Sequence, residues 1–176
     1  MALRTFEISG ESALGHAVVD LRRVSRTVKG GRRFRFRAAV VVGDKKGRVG
    51  FALQKGKDAQ AAIQKAQTAA QKHLRSIPRR GSTISHVVKA RYRGAEVLLK
   101  PAPSGTGIIA GGAVRSLVSL AGIQDVSSKL LGSRNKVNVV RAVLRALASL
   151  KPTREGAGNS EQGTADRISG DAVVHH

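Results

Sequence analysis

Basic side chains crowd one stretch of the sequence with almost no acids between them. From residue 22 to residue 57 there are thirteen lysines and arginines and one acid, Asp44. A solvated strand face usually alternates its charges in sign, so a run of one sign indicates a surface that contacts phosphate groups. The candidate phosphate-binding side chains are Arg22, Arg23, Arg26, Lys29, Arg32, Arg33, Arg35, Arg37, Lys45, Lys46, Arg48, Lys55 and Lys57.

A Gly-Gly pair inside this basic stretch predicts a tight turn between two strands. Lys29 and Arg32 flank Gly30 and Gly31, with β-branched or aromatic residues further out on both sides. Glycine supplies the positive φ that such connections need. A turn that is rich in backbone N–H groups and surrounded by cations suits an anion. We therefore interpret this hairpin as a docking element for nucleic acid.

The phenylalanines of the same stretch are predicted to lie inside. Phe34 and Phe36 alternate with arginines, and alternation along a strand places the two sets on opposite faces. Phe51 belongs to the apolar face of the next predicted strand. With all three phenylalanines on inward faces, stacking of single-stranded bases is not expected to dominate. A meander backed by one helix instead resembles part of a double-stranded-RNA-binding fold, which favours RNA over DNA.

A glycine-rich loop is the second pattern that could hold phosphate. Residues 105–110 read Gly-Thr-Gly-Ile-Ile-Ala, which fits the dinucleotide-binding fingerprint, and Asp125 follows about twenty residues later. However, Pro101 and Pro103 end the preceding strand, and the chain offers no second β-α-β half. The glycines are interpreted as permitting a tight loop and close helix packing, with anion contact at the helix start in addition. A small nucleotide-dependent enzyme is kept as an alternative.

Other catalytic and metal-binding patterns are missing from the sequence. Gly56-Lys57 lacks the remaining residues of a Walker loop, and the histidines have no metal-ligand spacing. Ser85 and His86 are neighbours on a predicted strand, so their side chains point apart. The absence of cysteine removes disulfides, thiolate ligands and cysteine nucleophiles. We expect a protein that is not an enzyme, with no cofactor, no metal and no small-molecule substrate.

Two successive groups of elements must position these residues. The first is predicted as strands over 16–29, 32–43 and 48–55, a type I turn at 44–47, and a helix capped by Asp58 that runs to residue 77 before Pro78. The second is predicted as strands at 84–93, 95–100 and 125–131, a helix at 113–121, and a last helix capped by Asn135.

The predicted fold class is α+β, with a β-β-β-α domain followed by a β-β-α-β-α domain. Residues 16–77 form the first domain, 78–83 a linker and 84–151 the second. Residues 1–15 are expected to be a flexible arm, and 152–176 a disordered acidic tail because of their composition.

The overall charge agrees with a nucleic-acid partner. A net charge of +21 on 176 residues is self-repelling, and binding to a polyanion relieves it while releasing counterions. No apolar run approaches the length of about 20 residues that a membrane-spanning helix needs, so no membrane partner is expected. The N-terminal residues have neither signal-peptide nor transit-peptide character, so the chain is expected to act where it is made, in the cytoplasm.

Six motifs together resemble one protein family. They are VKGGRRF at 28–34, VVGD at 41–44, GRVGF at 47–51, AAIQKA at 61–66, GTGIIAGGAVR at 105–115 and NVVRA at 138–142. Their order and spacing, from about residue 18 to residue 150, are similar to those of the bacterial-type small-subunit ribosomal protein S-five family. The resemblance implies a double-stranded-RNA-binding-like first domain without its leading helix, and a second α/β domain without nucleotide chemistry.

The resemblance also implies a function and partners. The family is a structural component of the small ribosomal subunit that binds its ribosomal RNA, contacts ribosomal proteins S-four and S-eight, and lies by the messenger-RNA entry path, where it affects decoding accuracy. Its rRNA-contacting loop matches residues 24–33, with Ser25, Lys29, Gly30 and Gly31 as the core. Its protein-interface and accuracy segment matches Gly105, Thr106, Gly107 and Arg115.

Two departures from the family pattern stand out. Residues 51–57 read FALQKGK where many relatives carry Gly-Tyr-Gly-Lys, and both chain ends are unlike the family's. A free-standing double-stranded-RNA-binding module therefore remains the alternative to a ribosomal protein.

Overall fold

The computed structural model describes residues 14–151, which form two four-stranded sheets and three helices. The predicted N-terminal arm falls almost wholly outside these residues, and the predicted acidic tail lies outside them. The arrangement is α+β, as the sequence predicts. Within the described part no helix is long and apolar enough to cross a membrane. The same residues contain no cluster of three or more histidines and acids that could hold a metal ion.

The first sheet is an antiparallel meander with a fourth, very short strand. Strands β1 (Gly15–Val28), β2 (Gly31–Gly43) and β3 (Arg48–Gly56) pair in sequence order, as predicted. Helix α1 (Ala59–Lys72) buries its alanines at 62, 66 and 70 against one face of this sheet, where Ala38, Val40 and Val42 are fully buried. Small side chains on both surfaces let the helix lie close to the sheet.

The predicted end of helix α1 is wrong. The apolar spacing continues to residue 77, but the helix ends at Lys72 and the chain turns back as strand β4 (Arg75–Ser76), which pairs with Arg48 and Val49 of β3. Ile77 is still buried in the core, although it lies outside the helix, and its backbone N–H donates to the carbonyl of Gly47 at 2.8 Å. Pairing with a distant strand overrides the local helical pattern.

The second sheet has a mixed order. Strands β5 (Val88–Tyr92), β6 (Ala95–Pro101), β7 (Ile108–Ile109) and β8 (Val126–Leu130) are arranged β5-β6-β8-β7. Strand β5 is shorter than predicted, and β7 was not predicted. Two residues carry no alternating pattern, and β7 exists because it pairs in parallel with β8. Helices α2 (Gly112–Leu120) and α3 (Lys136–Ala148) complete the group.

The two helix caps proposed from the sequence behave differently. Asn135 precedes α3, and its side-chain oxygen accepts a hydrogen bond from the Val137 N–H at 3.1 Å, which confirms the predicted cap. Asp58 precedes α1 in an extended conformation, but its side chain makes no capping hydrogen bond. Only Asn135 therefore satisfies one of the free N–H groups at its helix start.

The two groups of elements share one hydrophobic core. Val19, Val41 and Val49 of the first sheet belong to the same buried cluster as α2, α3 and the second sheet. The backbones also meet directly: a methyl group added to Gly43 would overlap the carbonyl of Leu120, and one added to Gly122 would overlap the carbonyl of Lys45. Glycine at these positions permits a contact that any side chain would prevent.

The loop between β2 and β3 is part of this contact, and it is not the predicted type I turn. Lys45, at the second turn position, has φ +57 and Gly47 has φ +104, whereas a type I turn needs negative φ at its two central residues. The Lys45 N–H donates to the Leu120 carbonyl at 3.0 Å. Docking against the end of α2 therefore selects a conformation that the local sequence does not indicate.

Candidate nucleic-acid interface

Strands β1 and β2 continue beyond the sheet as a two-stranded hairpin arm, defined here as residues 24–35. Strand β3 ends opposite Phe36, while the β1–β2 pairing continues to Val28 and Gly31. Five further residue pairs, at about 3.3 Å each, give the arm a length of roughly 17 Å. The arm is thus a ribbon without a third strand, and most of its side chains are exposed.

The connection at the end of the arm is a two-residue loop, Lys29-Gly30. Gly31, directly after it, has φ +130, so the predicted need for glycine is met there. A Cβ added at either Gly30 or Gly31 would meet no atom within 4 Å. The surroundings are therefore open, and glycine is required at residue 31 for conformation rather than for space within the protein.

The prediction that Phe34 lies in the core is wrong. Its side chain is 50% exposed, and the guanidinium of Arg23 lies 4.5 Å from its ring centroid. Phe36 is partly buried against the α1 side of the sheet, and Phe51 packs against the shared core. The alternation correctly separates phenylalanine from arginine along β2, but beyond the end of β3 no layer remains to bury either face.

Like charges face each other across the arm. Arg26 on β1 lies directly opposite Arg33 on β2, an arrangement that destabilises a sheet in isolation. Neither side chain makes an ion pair within residues 14–151, and the same holds for Lys29, Arg32 and Arg35. Five cations thus lie on about twelve residues without an acid to neutralise them.

A second arginine pair at the base of the arm shows the contrast. Arg22 lies opposite Arg37, and the buried carboxylate of Asp20 lies 3.0 Å from the first and 3.8 Å from the second. Lys136 at the start of α3 is 3.7 Å from the same carboxylate. The like-charged pair at the base of the arm therefore has a carboxylate beside it, which offsets part of its charge, whereas the Arg26–Arg33 pair further out makes no ion pair within the described residues.

The remaining candidate cations fall into two places. Lys55 and Lys57 are exposed at the end of β3, beside the base of the arm, whereas Lys45 and Lys46 are exposed at the opposite end of the sheet. From the Arg37–Lys55 pair to the Gly43–Val49 pair, β2 covers seven residues, or roughly 20 Å. The structure therefore does not bring all predicted basic residues into one patch.

Arg48 belongs to the distant group, and its charge is already paired. Its Nε lies 2.7 Å from a carboxylate oxygen of Asp44, whose other oxygen accepts from the backbone N–H groups of Lys46 and Arg48. Burial acts to raise the pKa of Asp44, but these hydrogen bonds from Arg48 and Lys46, with the nearby guanidinium charge, lower it to about 2. Arg48 therefore mainly closes the β2–β3 loop.

The glycine-rich loop has its own internal anion. The buried Asp125 carboxylate accepts hydrogen bonds from the N–H of Gly105 at 3.1 Å and of Gly107 at 2.9 Å. These bonds, with one from Ser82, lower its pKa below the ordinary value. The N–H groups that a bound phosphate would use in a dinucleotide site are already occupied, which weighs against the nucleotide-enzyme alternative.

The predicted accuracy segment forms one small surface on the second sheet. Gly105 and Thr106 are exposed, and Gly107 has φ +77 just before β7. Arg115 on α2 is exposed and donates from Nη2 to the Ile108 carbonyl at 3.1 Å, so it fastens α2 to β7. The segment and the hairpin arm belong to different sheets.

A cationic cluster surrounds Tyr92, and it was not predicted from the sequence. The guanidinium groups of Arg93, Arg141 and Arg145 lie 5.8, 5.4 and 4.7 Å from its ring centroid. Arg141 also donates from Nη1 to the Tyr92 hydroxyl oxygen at 2.7 Å, and this hydrogen bond lowers the pKa of Tyr92 below its ordinary value. The only local signal was the spacing of Arg141 and Arg145, which places both on one face of α3.

Comparison with known proteins decides the family. Residues 14–78 match the family model described as "Ribosomal protein S5, N-terminal domain", and residues 90–159 match "Ribosomal protein S5, C-terminal domain". This chain belongs to the ribosomal protein S5 family. Two proteins of Campylobacter jejuni, from strains 81-176 and RM1221, are each named "Small ribosomal subunit protein uS5" and are 52% identical to it over 134 residues. The alignment covers 76% of this chain and 91% of each relative.

The S5 assignment agrees with the geometry of both sheets. The N-terminal match spans strands β1 to β4 with α1, and the C-terminal match begins within β5 and includes α2 and α3. The resemblance stated from six short motifs is confirmed. Ribosomal protein S5 is a structural family, so the expectation that the chain is not an enzyme is supported at the level of the family.

Proposed function

We propose that this chain is a structural constituent of the small ribosomal subunit that binds small-subunit rRNA through the hairpin arm. The observation that carries the proposal is the unneutralised Arg26–Arg33 pair. It is unfavourable in the free protein and becomes favourable when phosphate groups lie against the face of the ribbon that both side chains share. Family membership and the relatives' names support the ribosomal setting.

The proposed mechanism is electrostatic positioning. Arm cations neutralise phosphates and release condensed counterions, which supplies affinity without reading sequence. Gly30 and Gly31 shape the end of the arm so that backbone and cations approach the RNA together, and Ser25, opposite Phe34 near the base of the arm, adds a hydroxyl to the proposed contact surface. The exposed Phe34 under Arg23 adds a flat apolar surface that a base or ribose can cover. The sheet-end lysines 55 and 57 extend the contact at the base of the arm, and Lys45, Lys46 and Arg48 form a separate, weaker contact.

The second sheet and its helices are proposed to face protein neighbours. In this proposal the segment with Gly105, Thr106, Gly107 and Arg115 meets ribosomal proteins such as S-four, S-eight contacts the same half of the molecule, and the messenger-RNA path and its accuracy function lie nearby. The bacterial relatives favour a bacterial-type ribosome in the cytoplasm. The domain limits 16–77 and 84–151, with 78–83 between them, remain part of the proposal.

A paired charge-reversal experiment tests the arm. Lys29→Glu with Arg32→Glu should weaken rRNA association and flatten the plot of log affinity against log salt by about 1.8, at about 0.9 for each lost phosphate contact. The matched control is Lys65→Glu with Lys72→Glu, which makes the same charge change on exposed residues of α1. Equal slopes for the arm variant and the wild-type protein would contradict the proposal.

Sedimentation separates a ribosomal constituent from a free-standing RNA-binding module. A constituent should remain with small subunits through a high-salt wash, and the arm variant should be lost from them. A protein that washes off and binds generic duplex RNA as tightly as rRNA would favour the module instead.

A further inference from the structure

A cleft of about 430 Å³ opens where the two groups of elements meet. Strand β3 contributes Phe51, the segment after α1 contributes Arg75, and the end of β5 contributes Tyr92. Helix α3 completes the lining with Arg141 and Arg145. The volume is within the range of about 300–1,000 Å³ that small-molecule sites occupy. None of these residues belongs to the hairpin arm.

The rim of the cleft is cationic where the segment after α1 and helix α3 contribute to it. His73, Arg75, Arg141 and Arg145 are among the lining residues, and no aspartate or glutamate is. Arg75 and Arg145 are exposed, and within residues 14–151 neither makes an ion pair. Arg141 uses one N–H donor on the Tyr92 hydroxyl, and Arg145 uses one on the Arg91 carbonyl at 3.4 Å. Because each guanidinium has five N–H donors, donors remain on the rim for a ligand that carries negative charge.

The floor of the cleft is apolar and partly aromatic. Val49 is fully buried below it, while Phe51, Tyr92 and Leu144 are half-buried and border the open space. Arg141 holds the Tyr92 hydroxyl at 2.7 Å, so the orientation of this ring is fixed before any ligand enters. A flat, apolar group can lie on this floor beneath the cationic rim.

We propose that this cleft binds a single nucleotide, with the phosphate on Arg75, Arg141 and Arg145 and the base on the floor formed by Phe51, Tyr92 and Leu144. A nucleotide joins the two features that the cleft combines, an anionic phosphate that matches a guanidinium fork and a planar base with apolar faces. The nucleotide is either one residue extruded from an RNA chain or a free mononucleotide, since both present the same chemistry.

Two other ligand classes fit less well. An acidic peptide would satisfy the rim with carboxylates but would leave the aromatic floor uncovered. A metal cation would meet three arginines and no carboxylate oxygen. Of these ligand classes, the nucleotide is the one that contacts both the cationic rim and the apolar floor.

Binding to the full chain is measured with AMP, adenosine and inorganic phosphate as separate probes. AMP should bind more tightly than either fragment, because only AMP engages the rim and the floor together. Arg145→Ala should weaken AMP binding about tenfold or more, as expected for the loss of a charged hydrogen bond, and Arg145→Lys should restore part of it. The matched control is Arg134→Ala, an exposed arginine of the loop before α3 that does not line the cleft.

Three results would overturn the proposal. The first is AMP binding no tighter than phosphate, the second is an equal loss in the Arg134 and Arg145 variants, and the third is displacement of AMP by an acidic peptide at lower concentration. The arm variant Lys29→Glu with Arg32→Glu should bind AMP like the wild-type protein. Failure of the cleft proposal is thereby distinguished from failure of the proposed rRNA contact.

Assembled small subunits distinguish the two sources of the nucleotide. If an rRNA residue occupies the cleft, ultraviolet irradiation should join Tyr92 to one rRNA position, and Arg145→Ala should reduce that cross-link. If a free nucleotide occupies it, labelled AMP should remain with wild-type subunits and be lost from the Arg145→Ala subunits. Absence of both signals would overturn the proposal.

Discussion

Replacing Asp44 with asparagine tests whether a carboxylate charge closes the β2–β3 loop. The pKa of Asp44 is about 2 in the folded protein and 3.8 in the unfolded chain, a difference of nearly two units. Each unit corresponds to about 1.4 kcal/mol, and the exposed Arg48 partner, at 62%, reduces the effect by solvent screening. We expect Asp44→Asn to lower the free energy of unfolding by about 1–2 kcal/mol at pH 6.

The pH dependence supplies the decisive part of this prediction. Because folding lowers the pKa, the stabilisation is fully present above about pH 4 and is lost as the pH falls through about 2. Urea unfolding of both proteins from pH 6 to pH 2 should therefore show a difference that shrinks toward zero. Asp58→Asn, where the side chain makes no capping bond, should change stability by less than about 0.5 kcal/mol at pH 6. A difference between wild type and Asp44→Asn that stays constant with pH would refute the reasoning.

Three further substitutions probe other parts of the molecule. Gly43→Ala should destabilise the fold by about 1–3 kcal/mol in urea unfolding, because the added methyl overlaps the Leu120 carbonyl. An unchanged free energy of unfolding would contradict the close backbone contact between Gly43 and Leu120. Asn135→Ala should lower the free energy of unfolding by about 1 kcal/mol in the same assay, because the hydrogen bond from the Val137 N–H is lost. An unchanged free energy of unfolding would contradict the capping role. Phe34→Ala should change the free energy of unfolding by less than about 0.5 kcal/mol but weaken rRNA binding. A large loss of stability would show that Phe34 is part of the core.

The sequence was sufficient wherever local patterns decide the structure. Alternation and turn glycines located β1, β2 and β3, and Asn135 marked the start of α3, because strand period and capping depend on residues only a few positions apart. The six family motifs carried the assignment to ribosomal protein S5. Exposed cations on the arm were also predictable from composition.

The errors arise where a distant part of the chain decides. Phe34 is exposed because β3 ends opposite Phe36, and the length of β3 is not encoded near residue 34. Helix α1 ends early and β7 exists because each segment pairs with a strand far away in sequence. The residues that line the cleft at Tyr92 come from four separate segments of the chain, so no short sequence pattern predicts the cleft.

The interlocked glycines between the two sheets have a consequence for how the molecule assembles with its partners. Gly43 and Gly122 bring the backbones into contact, and one core spans both groups of elements. The arm and the second sheet therefore do not move independently of each other. Once one surface is engaged, the other is presented at a fixed distance and angle, which raises its effective concentration at a matching site far above that of a flexible tether. Two individually weak contacts can then hold the protein firmly, and only where both sites have the right spacing.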